Sequence, residues 1–172
     1  MKKIYMKVSL IVVLFLPLLD TLATEQPNQN SFNTTLSGFQ EVPAISTTGT
    51  GEFRAQLDEA GTTLTYELEY SGLEGTATVA HVHFGQRGVN GGISFFLCGG
   101  GNKPPCPAQG TVTGTVTAAD VVGPAEQGIS PGDGAEIIAA MRNGVTYANV
   151  HTDEHPNGEI RGQISGPSTS SE

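Results

Sequence analysis

Residues 51–70, "GEFRAQLDEAGTTLTYELEY", decide the fold class. Phe53, Ala55 and Leu57 alternate with Glu52, Arg54 and Gln56. After the turn "DEAGTT", Leu64, Tyr66, Leu68 and Tyr70 alternate with Thr65, Glu67 and Glu69. Successive side chains of a strand point to opposite faces, so each run buries one face and wets the other. Two such runs joined by a glycine-containing turn form a hairpin. Working outward, the same pattern predicts strands at 35–40, 76–84, 92–97, 110–117, 145–152 and 159–165. Eight short strands separated by turn residues predict an all-β fold, an antiparallel sandwich or barrel, with a Greek-key-like β-sandwich carrying one or two short helices as the first expectation.

The helical exception is "SPGDGAEIIAAMRNG", residues 130–144. Ser130 is the expected N-cap, Pro131 the first helical residue, Asp133 the capping-box partner and Gly144 the stop. "TAADVV" at 117–122 is expected to add another turn. Both would cover one end of the sheets.

The N-terminus sets the expected compartment. Lys2, Lys3 and Lys7 precede the apolar run 8–19, too short for a bilayer span of about 20 residues, and "TLA" ends at Ala23 with small residues suited to cleavage. The expected organisation is a signal peptide over 1–23, a flexible segment over 24–32, one domain over 33–165 and a disordered tail over 166–172. The mature protein would be periplasmic or secreted, and free of the membrane after cleavage.

The whole chain carries a formal charge of −9, with eight basic and 17 acidic residues. The leader holds three of those basic residues and one acid, so the mature chain would carry −11. With no Lys/Arg cluster to override it, that charge repels phosphate backbones and anionic lipid, which leaves cations as better partners than nucleic acid or membrane. In an oxidising compartment the two cysteines, Cys98 and Cys106, are expected to form a disulfide across "CGGGNKPPC". The alternative is a pair of thiolate metal ligands.

The candidate chemistry lies in the four histidines, which fall in two segments. In "TVAHVHF" at 78–84, period two puts Val79, His81 and His83 on one face. In "TYANVHT" at 146–152 it puts Tyr147, Asn149 and His151 together on the polar side. If the strands are neighbours, His81, His83 and His151 can hold one metal ion, with His155 a fourth ligand from a loop. Asp153, Glu154 and Glu159 are nearby as carboxylate ligands or as partners that orient the imidazoles. Imidazoles without thiolate suit copper or, alternatively, zinc. The ion-free alternative is a hydrogen-bonded polar layer of His81, His83, Asn149, His151, Glu159 and Arg161 on an exposed sheet face. No Ser or Cys nucleophile stands in a recognisable elbow, so catalysis is the lesser expectation.

Three phrases, "LSGFQEVPA", "AHVHFGQRGVNGG" and "NVHT" with "NGEIRGQI", together resemble the CHRD domain, a module named from chordin. The resemblance spans nearly all of the expected mature chain. It implies a sandwich of the immunoglobulin or superoxide-dismutase kind, brings no settled activity, and puts His81, His83 and His151 at recurring positions. "HVHFG" is also similar to the copper-binding strand of Cu/Zn superoxide dismutases, whose full dinuclear site needs more histidines than this chain has. The expected function is therefore metal binding, storage or delivery, with copper first. The alternatives are an extracellular protein-interaction module and a mononuclear copper redox enzyme. Open edge strands also make a homodimer an expected possibility.

Overall fold

A computed structural model describes residues 30–166. The expected leader, the start of the expected flexible segment and most of the expected tail lie outside the described residues. Eight strands follow in order: β1 (Ser31–Ser37), β2 (Thr50–Leu57), β3 (Leu64–Ser71), β4 (Ala77–Phe84), β5 (Gly92–Cys98), β6 (Gly110–Val116), β7 (Thr146–Thr152) and β8 (Ile160–Gln163). One helix, α1 (Gly134–Arg142), stands between β6 and β7. No helix among the described residues is long and apolar enough to cross a membrane.

The eight strands are linked through their pairing, with β1 and β8 joined by the pair Ser37 and Arg161. They form one antiparallel sheet in the order β5-β4-β7-β8-β1-β2-β3-β6. The sheet curls into a near-barrel, and two tyrosines of β3 reach across to β5 and to the β5–β6 connection. Tyr66 and Tyr70 on β3 face Gly114 and Gly110 on β6. A side chain at Gly114 would meet the Tyr66 ring, so the glycine lets the tyrosine lean over its strand. The Tyr66 hydroxyl then donates to the Leu97 carbonyl on β5 at 2.7 Å, and Tyr70 to the Pro107 carbonyl at 2.6 Å. The core inside includes Phe32, Phe53, Leu68, Phe95, Leu97, Ile160 and Ile164, all fully buried.

Boundaries differ from the sequence reading at the first strand, at the last strand and at the helix. The first strand begins at Ser31 and ends at Ser37, because Gly38 packs so tightly against Ile45 and Thr47 that the chain turns through a 3-10 segment, Gly38–Gln40. The helix begins at Gly134 with Asp133 as its N-cap, accepting from the Glu136 amide. Ser130 and Pro131 precede it in a turn, since Gly132 at φ +87° interrupts any helix there. Gly144 does stop the helix, at φ +67°. The second predicted turn is a 3-10 segment, Ala118–Asp120, with Thr117 and Asp120 forming a capping box.

Candidate functional site

Strands β4 and β7 are neighbours, and their register assembles the site. His81 pairs with Asn149, His83 with Tyr147 and Val79 with His151. His81 and His151 therefore sit diagonally across the ladder on the same face, within reach of one another. Their ring centroids are 4.5 Å apart, and those of His81 and His83 are 4.4 Å apart. One ring nitrogen from each histidine lies within 4.8 Å of the other two, so these three residues could hold one ion.

Hydrogen bonds decide which nitrogens converge. His83 Nδ1 donates to the Gly91 carbonyl at 2.8 Å, and His151 Nδ1 to the Pro156 carbonyl at 2.9 Å. Each bond fixes the proton on Nδ1 and leaves a lone pair on Nε2. Among buried side-chain atoms, His81 Nδ1, His83 Nε2 and His151 Nε2 have no hydrogen-bond partner. The orienting groups are backbone carbonyls, and the expected carboxylates are engaged elsewhere. Asp153 accepts from the Thr76 amide, and Glu154 lies exposed. Glu159 accepts from Thr47, Thr152 and the Glu74 and Gly75 amides, knotting three loops. His155 does not join the three; its Nε2 lies 3.2 Å from Glu74 Oε2.

The face that carries the histidines is not exposed. His81 retains 4 % of its surface and His83 9 %. Burial holds His81 down to about 2, with His83 and His151 adding repulsion. Burial likewise holds His83 down to about 4, against the hydrogen bond to Gly91 that favours its charged form. His151 is lowered by the same burial. All three imidazoles are therefore neutral at pH 7, the state a metal ligand requires.

Arg161 on β8 builds the roof. Its Nε donates to the Gln40 carbonyl at 2.7 Å, and Nη1 to Asn90 Oδ1 at 2.9 Å and, more weakly, to the Val89 carbonyl. The guanidinium lies 4.4 Å over the Tyr147 ring, and Tyr147 stacks on His83 at 4.6 Å and 5°. Asn90 in turn donates to the Val42 carbonyl. Gly91 must be glycine, because a Cβ there would collide with the Phe84 carbonyl. Asn149 donates to Glu41 at 2.6 Å, and burial pushes that carboxyl up to about 7, Arg161 opposing.

Glu41, Asn90, Gly91 and Phe96 were not singled out by the sequence reading. They sit on loops, or on a strand beside its bulges, where no periodicity marks an inward side chain. The one available sign was that Glu41, Asn90 and Gly91 fall inside the distinctive phrases. An apolar pocket of about 230 Å³ between α1 and the β2–β3 turn is lined by none of the histidines.

The three phrases thus meet in space: "LSGFQEVPA" supplies Gln40 and Glu41, "AHVHFGQRGVNGG" supplies His81, His83, Asn90 and Gly91, and "NVHT" with "NGEIRGQI" supplies Asn149, His151 and Arg161. No curated protein and no solved structure matches the chain. The family model of the CHRD domain matches residues 32–164, from the first core residue of β1 to the last core residue after β8. The chain belongs to the CHRD domain family.

Proposed function

We propose that this is an exported metal-binding protein that holds one copper ion on His81, His83 and His151, acting in metal binding, storage or delivery. The observation that carries this is the convergence of three buried ring nitrogens without a hydrogen-bond partner. A buried polar atom left unpaired costs about 1–3 kcal/mol, which a ligated cation offsets. Imidazole–metal bonds of about 2.0–2.1 Å need ring nitrogens roughly 3.4 Å apart in a tetrahedral site, so modest side-chain rotations close the set. For an all-nitrogen site, divalent affinity peaks at Cu(II), with zinc the alternative. His155 becomes a fourth ligand only by leaving Glu74. The return of β8 to lie beside β1, in the order β8-β1-β2-β3, supports a Greek-key reading of the frame.

The test is calorimetric titration of tag-free protein with Cu(II) and Zn(II), beside the triple variant His81→Ala, His83→Ala, His151→Ala. One ion per chain with at least a hundredfold loss in the variant is expected. Equal weak binding by both proteins overturns the reading. Histidine NMR adds an independent check. A single water could satisfy the same nitrogens only with the His81 proton on Nδ1, whereas an ion requires that nitrogen bare.

A second reading, a protein-interaction module, is favoured by Phe39, 78 % exposed on the roof, and by Val89, 40 % exposed on the adjoining loop. A partner captured in the presence of chelator, retained by the triple variant and lost on Phe39→Ser, would support it.

A further inference from the structure

His83 and His151 each have a backbone carbonyl to fix the ring; the buried Nδ1 of His81 has no hydrogen-bond partner. Three rings surround the His81 imidazole: the two other imidazoles and Phe96, which meets it edge-on at 5.5 Å and 79°. Phe96 is the cross-strand neighbour of His81 on β5. Being only partly buried, Phe96 needs something outside the sheet to hold it.

That something is the loop "CGGGNKPPC". A Cβ built on Gly100 would fall 2.6 Å from Cδ1 and Cε1 of the Phe96 ring, and one on Gly101 would fall 2.6 Å from Cδ2. The two glycine backbones therefore lie against the δ1 and δ2 edges of the ring at a range that no side chain permits. The loop itself is anchored at several points. The Cys98–Cys106 disulfide closes it. Gly99, at φ +74°, is seated so close to Thr78 and Val79 of β4 that a side chain would collide with them. The Gly99 amide donates to the Pro104 carbonyl at 2.8 Å. Lys103 reaches out to Asp120 at 2.8 Å and to the Thr115 carbonyl at 2.7 Å, fixing the loop to the end of β6.

We propose that Phe96, clamped by Gly100 and Gly101 of the disulfide-closed loop, is the positioning residue that aims His81 Nδ1 at the centre of the three-histidine site. This rests on the metal reading above for its purpose, but its geometry stands without an ion. The loop does for His81 what a carbonyl does for each of the other two histidines. The ring wall is apolar, so it orients the imidazole without competing for its lone pair. Groups that orient a ligand typically govern metal affinity by 10–100-fold.

The experiment has two readouts on Phe96→Ala, Phe96→Leu, Phe96→Tyr and the double variant Cys98→Ser, Cys106→Ser. The first is long-range ¹H–¹⁵N NMR of the histidine rings in metal-free protein. Phe96→Ala should average the His81 ring signals while those of His83 and His151 stay as in the parent. Phe96→Tyr, which keeps the ring, should restore the parent pattern. The second is Cu(II) affinity by competition, expected to fall 10–100-fold in Phe96→Ala and by a smaller factor in the cysteine variant. Should Phe96→Ala not fold, Phe96→Leu carries the same readouts with more of the volume retained. Unchanged His81 signals together with Cu(II) affinity within twofold of the parent would overturn the proposal. If the parent binds no metal yet His81 alone loosens in Phe96→Ala, the positioning role stands and the metal reading falls.

Discussion

Strands β3 and β7 carry the same alternation and end in different surroundings. On β3, Leu64, Tyr66, Leu68 and Tyr70 are buried while Thr65, Glu67, Glu69 and Ser71 are exposed, residue by residue. On β7, Thr146, Ala148, Val150 and Thr152 are buried as expected, but Tyr147 and Asn149 on the other face are buried too, and His151 is partly so. The difference lies above the sheet. Over β2 and β3 there is solvent, and Arg54 simply meets Glu52 and Glu67 in it. Over β4, β7 and β8 the segments around Gln40, Asn90 and Pro156 close down and are tied to the sheet through Arg161, Asn149, His83 and His151. Polarity on a strand therefore marks a face, and only the loops decide whether that face is wet.

The largest break in the comparison comes from the tie itself. Arg161→Ala removes a buried cation from three acceptors and from the face of Tyr147. It should cost about 3–5 kcal/mol in denaturant unfolding, the range for one partner lost from a buried charged network. A loss below 1 kcal/mol would mean the roof is held by other contacts.

Acid should act next, and between pH 6.5 and 4.5 it should act first through the buried groups of the roofed face. In the folded chain His81 and His83 stay neutral down to about 2 and about 4, whereas an unfolded chain takes up their protons near 6.5. The unfolded state then binds more protons, so the stability of metal-free protein falls as pH drops from 6.5 towards 4, by about 1.4 kcal/mol per pH unit for each histidine. Glu41, raised to about 7, works in the opposite direction. Between pH 4.5 and 7 the folded chain keeps a proton that the unfolded chain releases, so its contribution is lost as pH rises, again by about 1.4 kcal/mol per unit. The net acid loss from these groups is about 1.4 kcal/mol per pH unit between 6.5 and 4.5, and Glu41→Gln should steepen it to about 2.8. Urea unfolding at pH 4.5, 5.5 and 6.5 measures both slopes; equal slopes would show that Glu41 is ionised in the fold.

Gly91→Ala should cost about 2–3 kcal/mol, since the added methyl collides with the Phe84 carbonyl and forces a shift of the backbone that orients His83. Thermal unfolding gives the cost, and the His83 ring signals give the displacement. Arg54→Ala sets the lower bound. Its ion pairs are exposed and screened, so a change within about 0.5 kcal/mol is expected in the same assay. A loss above 1 kcal/mol there would erase the distinction between the two faces.

How much of the site was legible follows from the same contrast. The common face of His81 and His83, and that of Tyr147, Asn149 and His151, were readable because period two is a property of the extended backbone. The disulfide was readable from two cysteines eight positions apart, together with the expectation of an oxidising compartment. Glu41 and Asn90 were not, because an irregular loop has no period to reveal which side chain turns inward. The role given to Glu159 failed for a related reason. Sequence proximity to His151 suggested an imidazole partner, yet its carboxylate is taken by Thr47, Thr152 and two loop amides. Sandwich and barrel were not separable from the pattern, because strand alternation is the same in both; the pairing gives one curled sheet. Closure depended on Tyr66 reaching past Gly114, a contact between residues 31 positions and more apart.

By itself the sequence determined the all-β class, the hairpin of β2 and β3, the helix stop at Gly144 and the polarity of each histidine strand. All of these are set by local backbone geometry and by the neighbours a residue has along the chain. Tertiary structure alone decided that β7 lies beside β4, which ring nitrogens are left bare, and that Phe96 and the "CGGGNKPPC" loop form the wall behind His81. Those outcomes depend on pairing register and loop closure across long separations, where two sequences with identical alternation can assemble differently.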